Sequence, residues 1–159
     1  FNTTMSNIQM LELFIKAIPP RAGWNEIITA MGKAVDQSID IAAFEIAFLE
    51  QKDLIHRGYS TKARGGYTYR SKLFDTKTSL TSWAIANQQE VVINDFDIEH
   101  SLYIDKKEAY HFQSLVIIPF LKNKQSVALC AYSIGKQQFN DNEVIMLRIL
   151  VKFILQASI

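Results

Sequence analysis

The amino-acid sequence predicts an α+β domain built around an antiparallel sheet. Three observations predict it. Apolar residues recur at helical spacing near both ends of the chain, they alternate with a period of two in the middle, and short polar turns separate the alternating segments. Hydrophobic residues make up 48% of the 159-residue chain and charged residues 21%, which is typical of a globular domain. We expect a single domain over residues 1–159, cut from a longer protein because the chain begins with Phe1.

Two amphipathic helices are predicted before the first strand. Apolar residues at helical spacing mark residues 4–17, and Pro19 and Pro20 end this helix because proline cannot continue it. A second helix is predicted from Trp24 to about Ser38, where the sequence turns polar.

Three antiparallel strands are predicted next. Residues 43–49 and 53–60 flank a tight turn, and the tyrosine-rich segment 67–70 follows the polar loop 61–66. A short helix over 80–87 and a short strand over 90–93 come after them. The polar segment 95–112 is predicted to be irregular, and long ordered connections of this kind often line sites.

The last third of the chain predicts a hairpin and a long helix. Residues 114–121 and 126–134 flank a turn and are apolar on both faces, as central strands are. Asn140 and Glu143 resemble a capping box at the start of the helix. Its apolar surface is wider than one core face needs, which predicts a second apolar partner, either the first helix or the same helix of a second subunit. The residues assigned to a dimer and signalling contact are Leu147, Leu150, Phe153 and Ile154.

Charge and cysteine content narrow the function classes. A net charge of +1 gives no global attraction to nucleic acid, and only Tyr67 and Tyr69 accompany the basic residues of 56–77, so no nucleic-acid partner is predicted. The single Cys130 lies in a predicted buried strand and favours a reducing, cytoplasmic location. No apolar run is long enough to span a bilayer, so no direct membrane contact is expected of these residues.

Three segments, in order, resemble the GAF family over nearly the whole chain. Residues 79–95 (SLTSWAIANQQEVVIND) are similar to the family's short helix, strand and terminal aspartate. Residues 114–120 (SLVIIPF) resemble its strand that ends near a proline, and Phe139 with Glu143 resembles the opening of its C-terminal helix. The strings around Ser79 and Asp95 look most like GAF domains that precede histidine kinases or diguanylate cyclases of bacterial sensors.

The resemblance implies a sheet of five to six strands, with the N-terminal and C-terminal helices on one face and a ligand cavity on the other. It further implies a sensory domain that binds a small molecule or a partner domain, forms a homodimer through its terminal helices, and relays a signal to an output domain. The positions implied for the cavity are Glu45, Tyr59, Ser60, Leu80, Thr81, Tyr103, Asp105 and Ile117.

Glu45 has two readings. In a closed cavity its carboxylate can accept a hydrogen bond from a ligand, but it can equally pair with Arg57, Arg70 or Lys72. The domain as a whole also has two readings. The alternative to ligand binding is a structural dimerisation unit whose cavity is filled by bulky residues such as Phe44 and Trp83.

Catalysis and cofactors are not expected from the sequence. It offers no nucleophile, base and orienting group at recognisable spacing, and one cysteine does not provide the pair that thiol reductases of this fold use. No histidine adjoins Cys130 as in bilin-binding relatives. Haem or iron would depend on His100 or His111, and no ligand spacing supports a metal.

Cyclic-nucleotide binding is doubtful for a separate reason. The constellation that the resemblance implies for it survives only in part, as Gly135-Lys136, Phe139 and Glu143-Val144.

Overall fold

The computed structural model describes residues 9, 11, 12, 14, 16, 18–61, 65–72, 79–99 and 112–159. The residues described between 9 and 16 are helical. The strands are β1 (Ala43–Glu50), β2 (Asp53–Ser60), β3 (Gly65–Lys72), β4 (Val91–Ile93), β5 (Ser114–Lys122) and β6 (Gln125–Ser133). The helices are α1 (Trp24–Asp36), α2 (Leu80–Asn87), the single turn α3 (Phe96–Glu99) and α4 (Asp141–Gln156).

The strands form one antiparallel sheet in the order β3-β2-β1-β6-β5-β4. The hairpin β5–β6 turns through Asn123 and Lys124, whose φ values of 52° and 66° are both positive. Two consecutive residues of positive φ match the type I′ turn, whose twist suits a two-residue hairpin. The predicted α+β class and antiparallel sheet are confirmed.

The two faces of the sheet pack against different helices. On β5, Val116 and Ile118 belong to the core shared with α1 and α4, whereas Leu115 and Ile117 belong to a second core beneath α2. This alternation follows from the two-residue period of a strand. Both faces of the hairpin are therefore buried, as its continuous apolar sequence predicts.

The face that carries α1 and α4 is closed by apolar side chains. Phe14, of the first helical segment, meets Phe153 of α4 edge to face with ring centroids 4.9 Å apart. At the far end of α4, the buried Lys122 donates hydrogen bonds to the carbonyls of Ile154 and Ala157, at 2.8 and 2.7 Å. A cation at a helix C-terminus satisfies carbonyls that have no partner within the helix.

Three local predictions differ from the structure. β3 begins at Gly65 and not near Tyr67, because the ladder with β2 continues to the pair Ser60–Gly65. A helical turn, α3, lies in the segment predicted to be irregular. Asn140 makes no side-chain cap at α4.

Half of a capping box forms at α1, whose N-cap Gly23 has no side chain to complete it. There Glu26 accepts a hydrogen bond from the backbone N–H of Gly23 at 3.1 Å. In the part of the chain that the structure describes, no helix combines the length and apolar character needed to cross a bilayer.

Candidate functional site

A cavity of about 620 Å³ lies on the α2 side of the sheet, toward the edge formed by β2 and β3. Its volume falls in the range of small-molecule sites, roughly 300–1,000 Å³. The side chains around it are apolar or aromatic, with a few polar groups among them. The residues lining it are Ala42, Ala43, Glu45, His56, Ser60, Tyr67, Tyr69, Ser71, Ser79, Thr81, Phe112, Tyr132 and Ile134.

Strand register explains why distant residues meet here. Gly58 of β2 pairs with Glu45 of β1, and Tyr69 of β3 pairs with His56 of β2. Side chains two residues apart on a strand share a face, and diagonal neighbours on adjacent strands are within reach of each other. Glu45, His56 and Ser71 therefore form a diagonal line across three strands, all toward the cavity.

A hydrogen-bonded chain connects these three residues. Glu45 Oε2 lies 2.5 Å from His56 Nδ1, and His56 Nε2 lies 2.7 Å from Ser71 Oγ. The hydroxyl of Tyr67 donates to the other carboxylate oxygen of Glu45 at 2.7 Å. Glu45 and His56 are 2% and 3% exposed, so the cavity holds a polar network almost fully removed from bulk water.

The direction of these hydrogen bonds follows from the chemistry of the groups. Burial, and next the charge of Glu45, raise the pKa of Tyr67 well above its usual range, so its hydroxyl stays protonated and donates. An ionised carboxylate only accepts, so Nδ1 of His56 donates to it. In the neutral imidazole, Nε2 is then an acceptor aimed at the hydroxyl of Ser71.

Aromatic rings fix the imidazole and form the cavity walls. The ring of Tyr69 is stacked on His56, with centroids 4.2 Å apart and planes 4° apart. On the opposite side, Phe112 stacks on Tyr132 at 4.8 Å. The hydroxyl of Tyr132 lies 3.3 Å from Thr81 Oγ1, which places a second polar pair in the cavity.

Cys130 lies beneath the cavity and is fully buried. Burial, and next the charge of Glu45, raise the pKa of its thiol far above the usual range. The thiolate is the reactive form of cysteine, so this thiol is held in its unreactive, protonated form.

The structure brings together three of the eight predicted cavity residues. Glu45, Ser60 and Thr81 line the cavity. Leu80 and Ile117 are fully buried in the apolar core beneath α2 and support the cavity from behind.

The other three predicted residues have different outcomes. Tyr59 pairs with Phe44 and packs against Gly32 of α1, so its assignment to the cavity is wrong. Neighbouring residues on a strand face opposite sides of the sheet, and Ser60 takes the cavity side. Tyr103 and Asp105 lie outside the described residues.

Two of the alternative partners proposed for Glu45, Arg57 and Arg70, bond to other residues. Arg57 reaches Asn25 and Arg70 pairs with Asp53, whereas Glu45 binds His56 and Tyr67. Sequence reasoning missed both of these partners. For His56 the available signal is alternation. His56 and Ser60 lie four residues apart on β2, so their side chains must share a face.

The predicted dimer residues require a correction. Leu147, Leu150 and Ile154 are fully buried within the single chain, because their spacing defines the face of α4 that packs on the sheet. Phe153 is partly buried against Phe14. The apolar residues that α4 does expose are Ile145, Ile149 and Leu155, at 49%, 42% and 44%.

A cluster of metal ligands is absent from the described ranges. No group of three histidine, cysteine, aspartate or glutamate side chains is close enough there to hold an ion. His100 and His111 lie outside the described residues.

No protein-family model and no curated protein sequence matches the chain. Solved structures do match it. The GAF domain of a phosphoenolpyruvate-protein phosphotransferase from Coxiella burnetii has a TM-score of 0.71 at 11% identity and covers 97% of this chain and 93% of its own.

Two enzymes are similar to the chain at the same level. The free methionine-R-sulfoxide reductase of Neisseria meningitidis has a TM-score of 0.71 at 12% identity, covering 98% of this chain and 90% of its own. That of Staphylococcus aureus has a TM-score of 0.65 at 20% identity, covering 98% and 94%.

These enzymes overturn the expectation that the domain is not catalytic. That expectation rested on the single cysteine, which lacks the partner that thiol reductases of this fold use, and on the absence of a nucleophile, base and orienting group at recognisable spacing. The fold carries catalysis in the reductases, and here the strands bring together polar groups that are far apart in the sequence. The six-stranded sheet, the helices on one face and the cavity on the other, together with these similarities, establish that the chain has the GAF fold.

Proposed function

We propose that the chain is a regulatory domain whose cavity on the α2 side binds a small molecule and whose helices on the other face respond to its occupancy. The observation that carries this proposal is the cavity itself. Its volume of about 620 Å³ is combined with apolar walls and a few convergent polar groups, as in small-molecule sites.

The lining favours a small ligand with an aromatic or aliphatic body and one polar end. The stacked rings of Tyr69 and His56 and those of Phe112 and Tyr132 offer flat apolar surfaces. The hydroxyls of Ser71 and Thr81 offer hydrogen bonds to the polar end. A strongly anionic ligand is disfavoured because the carboxylate of Glu45 lies on the same wall.

The strands that line the cavity also carry the helices. On β1, Glu45 faces the cavity, while Phe44 and Ile46 on either side belong to the core shared with α1 and α4. A ligand that binds one strand arrangement better than another therefore also biases the packing of α4. We place the output, a kinase or cyclase domain, after α4.

The homodimer that we propose uses the apolar residues that α4 leaves exposed. Ile145 and Ile149 lie one turn apart, and Leu155 continues along the same helix. A parallel contact between two copies of this surface would couple the two cavities and pass the bias to the output domains.

A thermal-shift titration against small aromatic and aliphatic metabolites tests ligand binding. A ligand that binds only the folded chain stabilises it by about 2.7 kcal/mol at a concentration 100 times its Kd. Ser60→Trp fills the cavity without removing a member of the Glu45 network, and it should abolish the shift. Lys52→Trp, at an exposed turn, is the matched control and should leave the shift intact.

A structural dimerisation unit is the second candidate. The exposed Ile145, Ile149 and Leu155 favour it, because they provide a contact surface whether or not the cavity is occupied. Analytical ultracentrifugation of Ile145→Lys and Ile149→Lys separates the two. A dimer lost in these variants, with no thermal shift from any compound, supports the structural unit, and a monomeric parent chain eliminates it.

A further inference from the structure

Ser71 lies at the cavity end of the hydrogen-bonded chain and lines the cavity. Its Oγ is 2.7 Å from His56 Nε2, and His56 Nδ1 is 2.5 Å from Glu45 Oε2. A nucleophile and its base within hydrogen-bond reach, with the base oriented by a third group, is the geometric signature of an activated hydroxyl. Residue order along the chain does not define this signature, since the same arrangement recurs on unrelated folds.

We propose that Ser71 is a nucleophile that accepts the acyl group of small apolar esters, with His56 as its general base and Glu45 as a positioning residue. This inference uses the cavity of the proposed function but does not require a signalling ligand or an output domain. It assigns the cavity a reaction, acyl transfer to water.

The step balances without a cofactor. Ser71 Oγ forms a bond to the ester carbonyl carbon as its proton passes to His56 Nε2. The tetrahedral intermediate collapses, the bond to the alkoxy group breaks, and His56 returns the proton to the leaving alcohol. Water then attacks the acyl-serine as His56 accepts its proton, the bond to Ser71 Oγ breaks, and His56 passes that proton to Oγ, which releases a carboxylic acid and restores Ser71.

The surroundings hold His56 in the tautomer that this step needs. Glu45 is held in place by the hydroxyl of Tyr67, which donates to Oε1 and leaves Oε2 for the imidazole. The ring of Tyr69, parallel to the imidazole, keeps its plane aligned. With the proton on Nδ1, the lone pair of Nε2 is directed at Ser71.

The cavity also limits the substrate class. Its walls are formed by aromatic rings, Ala42, Ala43 and Ile134, which suit an uncharged acyl chain or aryl group. The N-terminal end of α2 lines the same cavity through Ser79 and Thr81, and the positive end of a helix favours negative charge that develops nearby.

Labelling with an alkyl fluorophosphonate tests the proposal directly. Attack by Ser71 forms an O–P bond, fluoride leaves, and the intact mass rises by one phosphonyl group. Peptide mapping should place that group on Ser71. Ser71→Ala should abolish labelling, and His56→Gln should slow it about 100-fold or more, the range that general-base catalysis contributes.

Thr68→Ala is the matched control, because Thr68 is an exposed hydroxyl residue on the same strand as Ser71 but faces away from the cavity and does not line it. It should label at the rate of the parent chain. Hydrolysis of p-nitrophenyl butyrate should follow the same order among the variants, with each variant shown to be folded by its thermal melting.

The positioning role of Glu45 can be tested by the tautomer of His56, which a merely structural role of Glu45 would leave unchanged. The ¹⁵N shifts of His56 should report a proton on Nδ1 in the parent chain, and Glu45→Gln should shift the tautomer toward Nε2 and slow labelling while the fold is retained. A folded parent chain that gains no phosphonyl group on Ser71, or labelling at Ser71 that is unchanged in His56→Gln, would overturn the proposal. Neither result bears on whether a ligand shifts the melting temperature.

Discussion

The two faces of the sheet differ in what they enclose. The face that carries α1 and α4 is filled with apolar side chains, and even large ones such as Phe14 and Phe44 are fully buried there. The face that carries α2 has an apolar floor of its own but also a cavity and a buried carboxylate. The comparison teaches that one sheet can carry a stabilising core on one face and a polar cavity on the other. The α1 and α4 face supplies most of the apolar core, and its buried cation, Lys122, is satisfied by helix carbonyls. The α2 face keeps a buried carboxylate and imidazole beside a cavity.

The largest loss of stability is expected when a side chain buried between α4 and the sheet is truncated. Leu150→Ala removes a fully buried side chain between α4 and the sheet, and it should lower the free energy of unfolding by about 2–5 kcal/mol in urea denaturation. Leu155→Ala, on the same helix but 44% exposed, is the control and should change it by less than about 0.5 kcal/mol. Equal losses would mean that a partner covers Leu155.

A smaller effect is expected from crowding the cavity face. A Cβ at Gly58 would collide with the ring of Tyr67 and lie 2.8 Å from the backbone carbonyl oxygen of Phe44. Gly58→Ala should therefore cost about 1–3 kcal/mol and push Tyr67 away from Glu45. Gly66→Ala on the neighbouring strand meets its nearest atom at an ordinary 3.5 Å and should change stability by less than about 1 kcal/mol. Urea denaturation measures both, and equal costs would contradict the steric explanation.

A still smaller loss of stability is expected when a single hydroxyl is removed from the cavity network. Tyr67→Phe keeps the ring but deprives Glu45 of one of its two donors, so we expect a loss of about 1–2 kcal/mol. Thermal and urea unfolding measure it. Tyr69→Phe, whose ring stacks on His56 while the side chain is 48% exposed, is the comparison variant and should cost less. The reverse order would show that the hydroxyl of Tyr69 contributes more than the hydrogen bond from Tyr67 to Glu45, since both variants keep their rings.

The smallest effect is expected at the exposed ion pair between Arg148 and Glu90. Two hydrogen bonds, at 3.0 and 2.5 Å, join α4 to the residue before β4. Exposed pairs contribute about 0.2–1 kcal/mol and are screened by salt. Glu90→Gln should therefore destabilise the chain slightly at low salt, and the difference should shrink in 1 M sodium chloride. A loss that persists in high salt would point to packing of the side chain.

The fold was predictable because it follows from periodicity. Alternation marks β1, and apolar runs on both faces mark β5 and β6, so the class could be inferred without knowledge of any contact. The helix α4 shows what periodicity alone does not predict. Its apolar residues define two faces, and only the packed structure decides that Leu147 and Leu150 face inward while Ile149 faces outward.

The site was less predictable because it depends on register. Glu45 was identifiable as a carboxylate within an apolar strand, but its partners His56 and Tyr67 are set by the register of β2 on β1 and of β3 on β2. A shift of one residue in either pairing would turn those side chains to the other face. Tyr59 shows the same limit, since it cannot line a cavity that its neighbour Ser60 lines.

Cys130 gives the chain a built-in reporter of motion on the cavity face. The thiol is fully buried on β6, paired across the sheet with Glu45, and its raised pKa keeps it protonated. An alkylating reagent can therefore reach it only when this part of the sheet opens. With no second cysteine to compete for the reagent, the alkylation rate measures the free energy of that opening. A molecule that closes the cavity would slow the reaction in proportion to its occupancy, without any label having been introduced.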